Sequence, residues 1–225
     1  MPEYGLIFDV DGVIGNTEPV NARATIQVLE EMLGLEGMRA ADFAEGFGRG
    51  AAKYTEVGAA RHGVKLSAEQ LARAVAERAG KILEIIRREG LPTFPGVLEL
   101  ARACQADSRF RVGIASSAEP ELVYAILEAV KFPYEGVPVL TGENVKKKKP
   151  DPEIFLLTAQ SIGIAPPHGV VVEDAPDGVS AARAAGCRCI GVTNSVVADK
   201  LAQADRVVSD LVRIGPGDLI DLIKS

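Results

Sequence analysis

Two pairs of acidic residues in this 225-residue sequence follow short apolar runs. Asp9 and Asp11 come after the run YGLIF, and Glu173 and Asp174 come after GVVV. Carboxylates that close a buried run are costly to desolvate unless a cation meets them. Each pair also has a simpler interpretation, because Asp11 could begin an Asp-Gly turn and Asp174 could cap the following helix. Taken together, Asp9, Asp11 and Asp174 offer the hard oxygen ligands that suit Mg²⁺.

Two hydroxyl groups and a lysine occupy comparable positions along the chain. Ser116 and Ser117 follow the run RVGIA, and a hydroxyl with free backbone N–H groups before a helix can hold an anion. An ordinary serine N-cap is the alternative. Lys149 is followed by PDP, whose prolines stiffen the backbone and begin a helix, so its ammonium group could balance the acids or hold a phosphate. The three preceding lysines are typical of a solvated surface.

The elements that must position these residues alternate between strands and helices. Short apolar runs typical of buried strands lie at residues 4–10, 111–116, 137–140, 169–173, 188–192 and 206–208. Apolar spacing of three and four predicts helices at residues 95–103, 119–130, 151–162 and 177–185. This alternation predicts a doubly wound α/β fold with a parallel sheet and a central first strand. Ligands of such sheets bind outside the carboxyl ends of the strands, where the acids, serines and lysine are expected.

Residues 15–91 differ from the remainder, because they show helical periodicity and no convincing strand. Helices are predicted at residues 21–33, 40–47, 51–62 and 67–88, and Ser67 with Gln70 forms a capping-box start. The paired prolines of LPTFPG indicate the return to the first domain. We therefore expect an α/β core domain formed by residues 1–14 and 92–225, with a helical domain of residues 15–91 inserted in it.

Composition excludes several classes of function. The net charge of −6 disfavours a general nucleic-acid binder and a protein that binds anionic membrane surfaces. No apolar run approaches ~20 residues, and the first ten residues lack the pattern of a signal peptide, so we expect no membrane partner. The three cysteines lack metal-site spacing, which favours the reducing cytoplasm. The two histidines leave little material for a histidine zinc site or a Ser-His-Asp triad.

The order of these features resembles the haloacid dehalogenase superfamily, in the branch of β-phosphoglucomutase and small sugar-phosphate phosphatases. The segments that carry the resemblance are FDVDGV, IASS, KKPDPEIF and VVEDAPDGVSAARAAG. The resemblance extends from Tyr4 to about Val192, and residues 15–91 match the helical cap of this branch in position and size. It implies a phosphatase that transfers the phosphoryl group of a small metabolite, such as a sugar phosphate, to an aspartate and then to water.

The resemblance also implies roles for individual residues. Asp9 would be the nucleophile that forms an aspartyl-phosphate, and Asp11 would be the general acid and then the general base. Mg²⁺ would be bound by Asp9, the backbone carbonyl of Asp11 and Asp174, with Glu173 beside it. The candidate phosphate-binding residues are Ser116, Ser117 and Lys149.

Two residues of the expected cap domain are candidate substrate contacts. Arg49 lies between glycines in GFGRG, which indicates a turn that holds it toward the cleft; a solvent-facing arginine at a helix start is the alternative. Thr17 follows the first motif, where it could contact the substrate or position Asp11. Lys53 lies near the position of the Schiff-base lysine of phosphonoacetaldehyde hydrolases, but those enzymes and the dehalogenases proper lack the second acid of the first motif. The presence of Asp11 therefore argues against both chemistries.

Two other functions remain alternatives. A sugar phosphomutase would use the same aspartyl-phosphate, but such mutases usually carry histidine where Asn21 stands and polar or basic residues at 118–120, where Glu119 would repel a second phosphate. A non-catalytic sensor of phosphorylated metabolites has no need of both a nucleophile and a proton shuttle. The sequence therefore predicts a cytoplasmic, Mg²⁺-dependent phosphatase that acts on a small phosphate ester as a monomer or weak dimer, without a nucleic-acid partner.

Overall fold

The computed structural model describes residues 2–46 and 50–225, which form two compact units. The first contains the residues up to Asn16 and Leu91–Ser225, and the second is Thr17–Gly90. The sequence placed residues 15 to 91 in the insertion, whereas the structure assigns both ends of that range to the first unit. One reason is that the backbone N–H of Asn16 donates to the carbonyl of Pro92 at 2.9 Å, which ties the two crossing segments together.

Among the described residues, six parallel strands form one sheet in the first unit. They are β1 (Tyr4–Phe8), β2 (Phe110–Ala115), β3 (Val139–Leu140), β4 (Gly169–Glu173), β5 (Arg188–Val192) and β6 (Arg206–Val208). The strand order is β3-β2-β1-β4-β5-β6, so β1 is central and the order reverses between β1 and β4. The predicted doubly wound α/β fold is therefore confirmed, and its switch point lies beside β1.

The α-helices of the described chain lie mostly where the apolar spacing predicted them. They are α1 (Glu18–Leu33), α2 (Ala51–Arg61), α3 (Ala68–Glu89), α4 (Val97–Ala106), α5 (Pro120–Ala129), α6 (Glu153–Ser161), α7 (Pro176–Ala184) and α8 (Pro216–Lys224). The sequence analysis did not predict α8. It also predicted a helix at 40–47, where the structure has a 3₁₀ helix over Ala40–Gly46 and residue 47 lies outside the described residues.

Close packing of α6 on the sheet fixes the segment that precedes this helix. Ile7 of β1 and Phe155 of α6 are fully buried in one apolar cluster. A glycine is required at Gly113 of β2, because a Cβ atom there would lie 2.7 Å from Cγ2 of Thr158. Since Lys149 lies four residues before α6, this packing sets the position of the lysine relative to the strand ends.

The second unit has its own apolar core and a buried guanidinium group. Phe43 stacks on Tyr54 with ring centroids 4.8 Å apart. Arg78 of α3 is buried, and its guanidinium donates to Thr25 at 2.8 Å and to the side-chain oxygen of Asn21 at 2.9 Å. These bonds join α3 to α1 and offset the cost of burying a charged group.

Within residues 2–46 and 50–225, no helix combines the length and the apolar character needed to cross a membrane.

The start of α3 gives a test of local stability. Ser67 Oγ accepts the backbone N–H of Gln70 at 3.1 Å, and the Gln70 side chain accepts the backbone N–H of Ser67 at 2.9 Å, so the predicted capping box is confirmed. Ser67→Ala removes the first bond and should lower the free energy of unfolding by about 1 kcal/mol in urea denaturation followed by circular dichroism. Ser67→Thr keeps a hydroxyl and should retain most of that stability; equal losses in both variants would contradict the capping role.

Candidate active site

Three acidic side chains meet at the carboxyl ends of the two central strands. Asp9 directly follows β1, Glu173 ends β4, and Asp174 comes next. The strands are parallel neighbours, and the backbone N–H of Asp9 donates to the carbonyl of Val172 at 3.0 Å. All three acids are buried, and one carboxylate oxygen from each lies within 4.8 Å of the others. This set of hard oxygen donors can hold a divalent metal ion.

Lys149 connects two of these acids. Its ammonium group donates to Oδ1 of Asp9 and, at 2.6 Å, to Oε1 of Glu173. Its side chain is 9% exposed, with Nζ 4.8 Å from the centroid of the Phe155 ring. Residues 146–148 are exposed, as the sequence predicted for a solvated run. The lysine is thus distinct from its three neighbours, because it alone in the run is paired with buried carboxylates.

A second contact holds the segment that carries Lys149. The carboxylate of Glu153, the first residue of α6, accepts the backbone N–H groups of Lys146 at 3.0 Å and Lys147 at 2.9 Å. The backbone N–H of Glu153 in turn donates to Asp151 at 3.1 Å. The prediction that the prolines lead into a helix at residue 153 is confirmed, and the helix start anchors the loop before it.

The charges at the site are unbalanced. Burial raises the pKa of Asp9 to about 8, an effect that Lys149 opposes and Glu173 increases. Burial also raises the pKa of Asp174 well above its ordinary value, and the charges of Glu173 and Asp9 add to this. Burial alone would lower the pKa of Lys149, but Asp9 and Glu173 together raise it above the ordinary value. Lys149 is therefore positively charged, and the surrounding carboxylates favour a further cation or bound protons.

Glu173 also anchors the start of α7. Its Oε2 accepts the backbone N–H groups of Asp174 at 2.9 Å and Ala175 at 3.0 Å. Gly178 of α7 leaves room for this carboxylate, because a Cβ atom there would lie 1.8 Å from Oε1. The N-cap residue of α7 is Ala175, so the helix-cap interpretation of Asp174 is wrong. Glu173 therefore has two partners, the lysine on one side and the helix start on the other.

The serines lie after β2, at the same edge of the sheet. Ser116 is buried, its backbone N–H donates to the carbonyl of Leu140 at 2.9 Å, and its Oγ accepts the backbone N–H of Ala118 at 3.1 Å. Ser117 is half-buried. Glu119 is the N-cap residue of α5, so the interpretation of either serine as that cap is wrong. The Ser116 hydroxyl is instead held in a turn that follows the strand.

The loop after β1 approaches Asp174 closely. Asp11 is half-buried in this loop, and its charge raises the pKa of Asp9. Gly12 has φ of +78°, and a Cβ atom there would lie 1.8 Å from Oδ2 of Asp174 and 2.6 Å from Oγ of Ser195. Any side chain at this position would displace the acid. The glycine of the Asp-Gly pair is therefore required by close approach as well as by its backbone conformation.

Sequence reasoning missed two residues that contact this loop and Asp174. The Asn194 side chain donates to the carbonyl oxygen of Gly12 at 2.7 Å, and the Ser195 hydroxyl donates to Oδ2 of Asp174. Both follow β5 at the carboxyl edge of the sheet. The signal that could have found them is the one used for the acids and serines, namely polar residues directly after a buried strand.

Thr17 and Arg49 are the predicted substrate contacts of the insertion. Thr17 is a buried residue of the second unit that precedes α1, and the Asn21 side chain donates to its Oγ1 at 3.4 Å. Arg49 lies outside the described residues. The Lys53 ammonium group pairs with the Glu56 carboxylate at 3.2 Å, and both side chains are exposed to solvent. The substrate roles of Thr17 and Arg49 stay predictions.

Comparison with known proteins identifies the family. A family model described as haloacid dehalogenase-like hydrolase matches residues 5–186. The chain belongs to this family. This confirms the resemblance inferred from the four sequence segments, and it makes the chain a hydrolase by family.

Individual relatives and structures agree with this assignment. YhcW of Bacillus subtilis strain 168, named as a candidate phosphatase, is 30% identical over 85% of this chain and 84% of its own length. Hexitol phosphatase A of Escherichia coli strain K12 is 34% identical over an aligned region that covers 59% of this chain and 60% of that protein. The structure of CbbY from Rhodobacter sphaeroides in complex with phosphate has a TM-score of 0.79 and 23% identity, covering 98% of this chain and 100% of that one. At that identity, the structural likeness shows the fold.

The contacts of Lys149 predict a stability that depends on pH. Lys149→Met leaves buried carboxylates without their cation, so in metal-free buffer at pH 8 it should lower the free energy of unfolding by about 3 kcal/mol. The loss should be smaller at pH 5. The pKa values of Asp9 and Asp174 are then higher in the folded than in the unfolded variant, so folding takes up protons and stability falls as the pH rises.

Urea denaturation at the two pH values measures this loss. Lys148→Met is the matched control, because the Lys148 side chain is 59% exposed and lies 3.9 Å from Glu119. It should change the free energy of unfolding by no more than about 0.5 kcal/mol. Equal effects of the two substitutions, or a loss at Lys149 that does not depend on pH, would be incompatible with the charge pairing described.

Proposed function

We propose that this chain is a phosphatase that hydrolyses the phosphate monoester of a small metabolite, with sugar phosphates as the preferred class. The observation that carries the proposal is the pairing of the Lys149 ammonium with Asp9 and Glu173 at the carboxyl edge of the sheet. A carboxylate beside a fixed cation can attack a phosphorus atom while the cation receives the phosphoryl oxygens. The family match and the phosphatase names of the two relatives support the same reaction.

The acidic cluster fits a magnesium ion. One carboxylate oxygen each of Asp9, Glu173 and Asp174 lies within 4.8 Å of the others, the three residues are buried, and burial raises the pKa values of Asp9 and Asp174, which a bound cation would lower. Asp9, Asp174 and the backbone carbonyl of Asp11 would hold the ion, with Glu173 beside it. When bound, Mg²⁺ supplies positive charge that reduces the repulsion between a carboxylate and a phosphate dianion.

Asp9 is the nucleophile in this proposal. One of its carboxylate oxygens forms a bond to phosphorus as the bond from phosphorus to the ester oxygen breaks, which gives an aspartyl-phosphate. The Lys149 ammonium and the Ser116 hydroxyl donate to the phosphoryl oxygens, with Ser117 next to them on the same turn. The covalent step divides one difficult displacement into two easier ones.

Asp11 moves the proton in both half-reactions. It donates a proton to the departing ester oxygen, which leaves as an alcohol, and its carboxylate then takes a proton from water. That water attacks the phosphorus of the aspartyl-phosphate, which frees Asp9 and releases inorganic phosphate. Asp11 lies near enough to Asp9 for its charge to raise the pKa of that carboxyl group, and a carboxyl group placed beside the reacting atoms can act as general acid and then as general base.

The insertion is proposed as the cap that selects the leaving group. Thr17 and Arg49 are its candidate substrate contacts, and the cap extends over Thr17–Gly90. The free cysteines Cys104, Cys187 and Cys189 are consistent with the cytoplasm as the compartment, which stays part of the proposal together with a monomeric or weakly dimeric state.

Phosphate release from a panel of sugar, polyol and nucleotide monophosphates tests the proposal. With Mg²⁺ the chain should release phosphate from one or a few esters, and a chelator should abolish the release. Asp9→Asn should show none. Asp11→Asn should lower kcat by roughly 10²- to 10⁴-fold, the usual contribution of general acid–base catalysis. Asp177→Asn is the matched control, because Asp177 is an exposed acid in the first turn of α7 and should have wild-type activity.

One arm of the panel separates hydrolysis from isomerisation. β-Glucose 1-phosphate is supplied with and without a glucose bisphosphate. Appearance of glucose 6-phosphate only with the bisphosphate, and no phosphate release from any ester, would replace the phosphatase by a mutase. If neither phosphate release nor glucose 6-phosphate is detected under any condition, the chain is better explained as a non-catalytic sensor of phosphorylated metabolites.

A further inference from the structure

We propose that Asn194 and Ser195 are positioning residues that hold Asp174 and the loop after β1 in the arrangement that binds Mg²⁺. The inference rests on the proposed function, because it concerns the same metal site. Neither residue belongs to the four segments that carry the family resemblance, and both lie in the loop that follows β5. Their side chains act on residues far away in the sequence.

Ser195 fixes one oxygen of a crowded carboxylate. Asp174 is only 5% exposed, and one of its carboxylate oxygens lies within 4.8 Å of carboxylate oxygens of Asp9 and Glu173. The Ser195 hydroxyl donates to Oδ2, which fixes the orientation of the carboxylate and leaves the other oxygen for a cation. A metal ligand whose second oxygen is hydrogen-bonded is oriented before the ion arrives, and such contacts contribute to metal affinity.

Asn194 fixes the backbone beside the second proposed ligand. Its side-chain N–H group donates to the carbonyl oxygen of Gly12 at 2.7 Å, and the backbone N–H of Gly12 donates to the carbonyl of Gly15 at 3.0 Å. Gly12 comes directly after Asp11, whose carbonyl is the proposed ligand. The Gly12 N–H belongs to the same peptide group as the Asp11 carbonyl, and the Gly12 carbonyl belongs to the next one, so the two bonds hold consecutive peptide groups at the proposed ligand.

The two contacts join loops that strand pairing alone does not place side by side. β5 neighbours β4 and not β1, so its following loop must cross the end of β4 to reach the Gly12 turn. The loop begins in a fixed position, because the backbone N–H of Thr193 donates to the carbonyl of Val208 in β6 at 3.0 Å. The next two side chains make the contacts: Asn194 binds the turn after Asp11, and Ser195 binds Asp174. The absence of a Cβ atom at Gly12 is what lets all three groups meet.

Titration calorimetry of the full chain with Mg²⁺ alone tests the inference. Ser195→Ala should raise the Kd for Mg²⁺ about tenfold or more, within the range found for residues that orient metal ligands. Ser195→Thr keeps the hydroxyl and should restore an affinity near that of the wild type. Asn194→Ala removes the other contact independently and should also raise the Kd about tenfold.

Ser209→Ala is the matched control. Ser209 Oγ also donates to a carboxylate, that of Asp210 at 3.0 Å, but on the exposed surface. Its Mg²⁺ affinity should equal that of the wild type. Each variant's unfolding midpoint in chelator is measured in parallel, and a positioning role predicts that it stays near the wild-type midpoint while the Kd changes.

Several results would overturn the inference. These are an unchanged Kd in both Ser195→Ala and Asn194→Ala, a loss of affinity in Ser195→Thr as large as in the alanine variant, or an equal loss in Ser209→Ala. If Ser195→Ala does not fold in chelator, the threonine and Asn194→Ala variants decide. Wild-type protein that releases phosphate and binds Mg²⁺ while the variants bind it equally well refutes only this inference. Wild-type protein that neither binds Mg²⁺ nor releases phosphate refutes the proposed function as well.

Discussion

The pairing of Lys149 with Asp9 and Glu173 is the interaction on which the site depends. Buried carboxylates at the ends of neighbouring strands repel one another, and the low dielectric of the interior strengthens that repulsion. Without the lysine, the carboxyl groups of Asp9 and Glu173 would lose the cation with which both are paired. Two contacts fix the position of this lysine. Helix α6 packs closely against Gly113, and the Glu153 carboxylate accepts backbone N–H groups of the segment just before the lysine.

The parallel sheet explains why residues far apart in sequence meet. Asp9, Ser116 and Glu173 each end or directly follow a strand, and β1, β2 and β4 are adjacent. All of their carboxyl ends lie on one edge, so a short polar segment after each strand is enough to build a site. The family match to residues 5–186 covers these strand ends together.

Much of this could be predicted from the sequence, because apolar runs and helical spacing are local signals. The strands, and the acids and serines after them, follow from such signals. Helix α8 was missed because its N-cap Gly215 and first two residues, Pro216 and Gly217, form a Gly-Pro-Gly segment that indicates a turn. Asn194 and Ser195 were missed for a different reason. Their position after β5 is visible in the sequence, but their partners lie 182 and 21 residues away, and spacing does not show which residues two loops bring together.

The excess of negative charge at the site connects binding to chemistry. Lys149 can offset one carboxylate, so Asp9 and Asp174 retain raised pKa values, and a protonated Asp9 is a poor nucleophile. A second cation would lower both pKa values and so ionise the attacking group. In the proposed function, Asp9 and Asp174 would hold an ion whose positive charge would keep the Asp9 carboxylate ionised and would also reduce its repulsion of the phosphate. In that proposal, Lys149 offsets part of the negative charge of the buried acids, and the bound cation would offset the rest.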